Sequence, residues 1–167
     1  PQLSAFTFTG VSKGEADKLR EKINLTRGQI ITENLLKTVS YKINDYFIGK
    51  GYLNSEVKFN VSNDTISRNK QILTINVHKN RKTKIHEIKW VGNKVMSSSK
   101  LNGWLKETKE KKWYHFFKTS KYIEENFTGD KEKVIAKYLE KGYRDAKITF
   151  DSVYKYDENT VTLEIHI

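Results

Sequence analysis

The chain has 167 residues, 37% hydrophobic and 12% aromatic, and its 31 Lys and Arg against 20 Asp and Glu give a formal net charge of +11. Apolar residues interleaved at that level exclude a disordered chain, and no apolar run approaches the ~20 residues of a membrane-spanning helix. With no cysteine, disulfide scaffolds and thiolate metal sites are excluded, and the positive balance invites a polyanion or an acidic membrane surface as partner.

In chain order, LSAFTFTG (residues 3–10) is rich in aromatic and β-branched residues and ends on a turn residue, so a first strand is expected. Ser12 and Glu15 have capping-box spacing, and Ala16, Leu19 and Ile23 follow at helical intervals. A second helix is expected from about Thr32, with Leu35, Leu36, Val39, Ile43, Tyr46 and Phe47 on one stripe and Gly49 and Gly51 as its left-handed stop. Val57, Phe59 and Val61 then alternate with polar residues, as do Leu73, Ile75 and Val77. The order is β-α-α-β-β.

After a short charged join, KNRKTK (79–84), the same order returns. IHEIKWVGN (85–93) reads as a strand closed by Gly92 and Asn93. Leu101, Trp104 and Leu105 mark a short helix, and Val134, Ile135, Tyr138 and Leu139 a longer one. Ala146, Ile148 and Phe150 alternate, a hairpin is expected at 157–160, and Val161, Leu163, Ile165 and Ile167 alternate again. Gly51/Gly142, Tyr52/Tyr143, Val57/Ile148 and Phe59/Phe150 are all 91 positions apart, which marks a duplicated unit. The expected fold is α+β: two tandem domains, 1–81 and 82–167, each a three-stranded mixed sheet with two helices on one face. Gly51, Tyr52, Gly92, Asn93, Gly142 and Tyr143 are read as structural residues of these turns. Because the chain opens on Pro1 and is still in a strand pattern at Ile167, it reads as a segment of a longer protein.

The repeated order, the Gly92–Asn93 end of the strand, Asp130 read as opening the second helix, and Tyr-x-x-x-Gly-Tyr (138–143) before an alternating strand resemble the POTRA family. These modules occur in tandem before the membrane barrel of BamA-type outer-membrane assembly proteins. The second copy matches over nearly its whole length; the first has Val11 where the Asn should follow its Gly10. The resemblance implies a non-enzymatic scaffold on the periplasmic side of the outer membrane, attached to a barrel and without cofactor or metal. Its implied partners are unfolded outer-membrane β-barrel proteins and accessory assembly lipoproteins.

The sequence supplies a physical means for such binding. The last strand of each copy is the richest in β-branched residues and reads as central, which leaves the strand after Gly-Tyr at an edge. The candidate edges are 55–61, with Ser55, Val57, Lys58, Phe59 and Val61, and 146–153, with Ala146, Lys147, Ile148, Thr149 and Phe150. Backbone pairing accepts an extended segment whatever its side chains, and lysines blunting the strand are the opposing reading. The second copy also carries a longer connection with Lys112, Trp113, Tyr114, Phe116 and Phe117. It reads either as buried aromatics or as a contact surface for a neighbouring domain or membrane.

Other classes fit less well. The four histidines lack metal-ligand spacing, and no phosphate-cradling loop or nucleophile constellation is present. IGKG (48–51) is similar to the Gly-x-x-Gly loop of KH domains, leaving a basic RNA-binding module as the alternative. That loop joins two helices, however, whereas IGKG leaves a helix and enters a strand, so nucleic acid is not the expected partner.

Overall fold

A computed structural model describes residues 1–112 and 120–167. The chain divides into two compact units, Pro1–Asn80 and Arg81–Ile167. The first contains β1 (Gln2–Thr9), α1 (Lys13–Ile23), α2 (Glu33–Ile48), β2 (Glu56–Asn63) and β3 (Lys70–His78). The second contains β4 (Lys84–Val91), α3 (Ser98–Trp104), α4 (Glu124–Glu140), β5 (Phe150–Lys155) and β6 (Thr160–His166). Each unit has its own three-stranded mixed sheet, ordered β1-β3-β2 and β4-β6-β5, with the first strand parallel and the second antiparallel to the central one.

In the first unit the two helical stripes and alternate strand residues meet in one core. Leu19 and Ile23 of α1, Val39, Ile43 and Phe47 of α2, and Leu73, Ile75 and Val77 of β3 are buried together. Burying each such side chain contributes about 1.5–3 kcal/mol. The capping box forms as its spacing requires: the Glu15 amide donates to Ser12 Oγ and the Ser12 amide to Glu15 Oε2. Lys79, just past β3, reaches the same carboxylate at 3.1 Å. In the second unit Leu101, Phe127, Val134 and Tyr138 of the helices and Ile85, Ile88, Trp90, Val161, Leu163 and Ile165 of the strands are all buried. Leu139, placed by its spacing on the core stripe, is exposed.

The two helix ends that carry the repeat are one motif. Tyr52 donates its amide to Phe47 O at 2.9 Å and Gly51 to Ile48 O at 2.9 Å; Tyr143 and Gly142 donate likewise to Tyr138 O and Leu139 O. The glycines sit at φ 89° and 90°, and the rings of Phe47/Tyr52 and Tyr138/Tyr143 meet edge to face. This is a left-handed helix stop with its apolar clasp. Gly49 is an ordinary helical residue at φ −59°, so the stop belongs to Gly51 alone. The Gly-x-x-Gly stretch is thus a helix terminus and not a loop between helices.

Past the stop the copies diverge. β2 begins five residues after Gly51, whereas β5 begins eight residues after Gly142. The difference is odd, and side chains alternate faces with period two, so the equivalence inferred at a spacing of 91 inverts. Phe59 pairs with Ile75 on the helix-covered face, while Phe150 pairs with His166 on the open face and is 52% exposed. Ala146, Lys147, Ile148 and Thr149 lie in the longer connection and not in the strand, although the Thr149 amide already donates to His166 O at 2.9 Å.

Gly10 and Gly92 end the first strand of each unit at φ 78° and 82°. A Cβ at Gly10 would lie 2.0 Å from Val77 O, whereas one at Gly142 would meet nothing within 4 Å. Gly142→Ala therefore loses only the glycine preference for this conformation, about 1–2 kcal/mol, and Gly10→Ala adds a backbone clash. Hydrogen exchange resolved by unit should show Gly10→Ala destabilising the first unit more than Gly142→Ala destabilises the second; the reverse order would contradict this packing.

Burial opposes ionisation of Glu15, but the Ser12 amide and the Lys79 ammonium outweigh it and hold the carboxyl at about 2, below its ordinary 4.5. A depressed folded-state value gives stability that is complete above about 4.5 and is lost as pH falls through about 2. Glu15→Gln should flatten the acid limb of first-unit stability between those values, measured by urea denaturation along a pH series.

Candidate partner-binding edges

A three-stranded sheet has two edges, and each carries backbone donors and acceptors that need partners. In the first unit the segment between the helices supplies them to β1. Leu3 donates its amide to Gln29 O at 2.8 Å and accepts from Gly28, while Ile31 donates to Pro1 O. The second unit repeats the device on β4. Ile85 donates to Ser120 O and accepts from Lys111, both at 2.7 Å, Tyr122 donates to Thr83 O, and Glu110 Oε1 accepts from the Ile88 amide. Among the described residues, no such segment lies along the outer side of β2 or β5.

The hairpin ends show which amides face outward on those two strands. Asp64 donates to Lys70 O and Tyr156 to Thr160 O, each continuing its ladder in register. Backbone groups alternate sides along a strand, so the even-numbered residues of β2 and β5 bond inward. The amides of Val57, Phe59 and Val61, and those of Asp151, Val153 and Lys155, therefore point away from the sheet.

The candidate side chains fall on these strands unevenly. Val57 and Phe59 pack against the first core, Val61 is 40% exposed, and Lys58 is exposed on the open face opposite Asn76. Ser55 lies one residue before β2, where its hydroxyl donates to Asn44 Oδ1 at 3.0 Å. In the second unit only Phe150 of the named residues is in the strand; Ala146 and Ile148 are half-buried and Lys147 and Thr149 exposed in the connection. Asp151 and Val153 fall inside the expected edge range, whereas Tyr154 lies one residue beyond it, on the alternation Phe150, Ser152, Tyr154, Tyr156 that marks the open face. Tyr52 is half-buried on the first core, whereas Tyr143 is 39% exposed. Asn93 donates to Met96 O and Ser98 Oγ, tying its turn to the start of α3, and Val11 fills the corresponding place with an apolar contact to the core.

Asp130 does not open a helix. It lies inside α4, fully buried, on the stripe position that Val39 occupies in the first unit. Its Oδ2 accepts the amides of Glu107 and Thr108, both at 2.7 Å, and Lys133 reaches Oδ1 at 3.0 Å. Burial alone would raise its pKa; the Thr108 amide, Lys133 and the neighbouring backbone donors reverse that and hold the carboxyl below its ordinary range. The buried charge thus anchors the connection that covers β4. Lys112 lies on that connection, exposed and 4.0 Å from Glu110; Trp113, Tyr114, Phe116 and Phe117 lie outside the described residues.

Comparison with known proteins agrees with this architecture. The family model POTRA, described as surface antigen variable number repeat, matches residues 1–80 and again 83–167. The chain belongs to the POTRA family. Its tandem domains are of the BamA type. The chain is 24% identical over 163 residues to the outer membrane protein assembly factor BamA of Neisseria meningitidis serogroup B, covering 96% of this chain and 20% of that protein. It is 27% identical over 169 residues to a putative outer membrane protein assembly factor of Treponema pallidum, covering 98% and 19%. The chain thus spans about a fifth of these relatives. POTRA1-2 of the periplasmic domain of Omp85 from Anabaena shares the fold at a TM-score of 0.51 and 12% identity, covering 99% of this chain and 95% of that one.

Asp130→Ala strands the buried Thr108 amide, at a cost on the order of 1–3 kcal/mol, and removes the acceptor of the amide of exposed Glu107. The second POTRA domain should lose a few kcal/mol, and amide exchange at Ile85 and Ile88 should accelerate while the first domain is unchanged. Unaltered exchange at those two amides would show that Asp130 does not hold the covering segment in place.

Proposed function

We propose that this pair of POTRA domains, divided at 81/82, is a binding scaffold in the periplasmic part of an outer-membrane protein assembly factor attached to a membrane barrel. It receives unfolded outer-membrane β-barrel proteins and docks accessory assembly lipoproteins by adding their extended segments to β2 or β5. Similarity to the outer membrane protein assembly factors of Neisseria meningitidis and Treponema pallidum supports the assembly role, and similarity to the periplasmic domain of Omp85 from Anabaena supports the periplasmic side.

One observation carries the edge-pairing mechanism: in both units the helix-to-helix segment occupies one sheet edge and leaves the other with outward amides. Such an edge gives a bound segment main-chain hydrogen bonds independent of its sequence, which suits a receptor of many clients. Lys58 and Lys155 lie on these strands as charged side chains that discourage pairing between copies of the chain. They leave the amides of alternate residues accessible to a guest strand.

Proline separates backbone pairing from charge attraction, because it removes an edge amide without adding or removing charge. Val61→Pro and Val153→Pro each delete one outward amide and should leave the domain folded. In an NMR titration with a peptide from an outer-membrane β-strand, wild-type shifts should follow residues 57–61 and 151–155. Those shifts should persist at salt that reduces the Debye length to about 8 Å and vanish at the edge bearing proline. Shifts confined to lysine-rich surface and abolished by salt would overturn the proposal.

A further inference from the structure

The two open edges differ in which side of the sheet is apolar. On β2 the open-face side chains are Glu56, Lys58, Asn60 and Ser62, and the apolar ones point to the helices. On β5 the odd-length shift after Gly142 reverses this: Phe150 and Tyr154 are on the open face, while Asp151 faces α4 and pairs with Lys131. The next alternate residue, Tyr156, stacks on His86 with centroids 3.6 Å apart. Phe150 meets the His166 ring edge-on at 5.0 Å, and the Lys89 ammonium stands 6.0 Å from the Tyr154 ring. Phe150, Tyr154 and Tyr156 are 52%, 39% and 59% exposed, so each ring keeps an unoccupied side.

We infer that the β5 edge selects extended segments with aromatic side chains at every second position, while the β2 edge has no such selectivity. This rests on the edge-pairing reading above. A strand added outside β5 aligns its alternate side chains with Phe150, Ser152 and Tyr154 at the cross-strand spacing of about 4.5–5.5 Å, where aromatic pairs are favourable. On its other face the guest meets the charged side chains of Asp151 and Lys155 on either side of Val153, so polar residues are favoured opposite the two charges. A guest of β2 finds the opposite pattern: polar neighbours on the open side, and Val61 as the exposed apolar neighbour on the helix side. The guest of β5 is therefore an alternating strand whose aromatic side faces away from the helices, with Ser152 leaving room between two rings.

The test uses two synthetic nine-residue peptides of one composition. One has Tyr at alternate positions with Ser and Thr between; in the other the same tyrosines are contiguous. Each is titrated into the 15N-labelled chain, and the amides of Asp151, Val153 and Lys155 report β5 while those of Val57, Phe59 and Val61 report β2. The alternating peptide should bind β5 about five-fold more tightly than the contiguous one, as two or three favourable cross-strand pairs would give. The two should be equal at β2. Phe150→Ser with Tyr154→Ser, both at exposed positions, should abolish the preference at β5 and leave β2 unchanged. Equal affinities at an otherwise responsive β5, or a preference that survives the double substitution, overturns the selectivity alone. If neither peptide shifts either edge, the edge-pairing reading fails and the selectivity falls with it.

Discussion

A three-stranded sheet cannot satisfy its own backbone, and the binding we propose for this chain follows from how each domain disposes of its two edges. The connection between the helices must cross from one to the other, and in doing so it passes the outer side of the first strand. There Leu3 and Ile85 each exchange hydrogen bonds in both directions with that connection. In both strands the bonded residue sits where the register shifts, so the strand bends at the point where the covering segment meets it. The opposite edge receives no such segment among the described residues, because the chain enters it directly from the helix stop at Gly51 or Gly142. Asymmetry between a covered and an open edge is thus built into the β-α-α-β-β order itself.

The duplicated core shows how far one plan tolerates different chemistry. Ile43 and Val134, or Phe47 and Tyr138, are exchanges of similar apolar bulk at matching stripe positions. Val39 and Asp130 are not. A carboxylate inserted in an apolar stripe would be costly if unpaired, yet Asp130 is ringed by two amides and a lysine. The longer connection of the second domain needs such an anchor, whereas the shorter one of the first is held by its hydrogen bonds to Leu3 and Pro1. The two domains therefore reach the same covered edge by different means: backbone pairing in one, a buried charge added to backbone pairing in the other.

Most of the architecture was legible because its signals are local and periodic. The capping box at Ser12 and Glu15, the stripe through Val39, Ile43 and Phe47, and the β-branched central strands each depend on neighbours within a few residues. The glycine stops were legible for the same reason. What was not legible is phase across an irregular connection. Nothing in Arg144, Asp145 or Lys147 states that three extra residues precede β5, and an odd count exchanges the two faces of every residue in that strand. The role of Asp130 was hidden for a related reason: a helix that began where its acid suggested would have placed it at a terminus, but α4 starts at Glu124, following Ile123, a cap without a side-chain hydrogen bond. Its partners, at Glu107 and Thr108, are distant in sequence and carry no pattern.

Charge acts locally in this molecule, despite the net excess of lysine. Lys79 and Lys50 converge on Glu15, Lys22 on Asp45, Lys131 on Asp151 and Lys133 on Asp130, so several of the cations are engaged in fixing helices to strands or to one another. The exposed pair among them, Lys22–Asp45, contributes little, about 0–1 kcal/mol, but all of them consume charge that would otherwise act at range. At β5 the consequence is specific. Lys131 neutralises Asp151 on the helix side, and the open side presents Phe150 and Tyr154 with Lys89 and Glu164 close behind them. In the edge pairing we propose, a guest strand would meet paired charges, rings and outward amides at β5, so alternation and hydrogen bonding would set its affinity before net charge does.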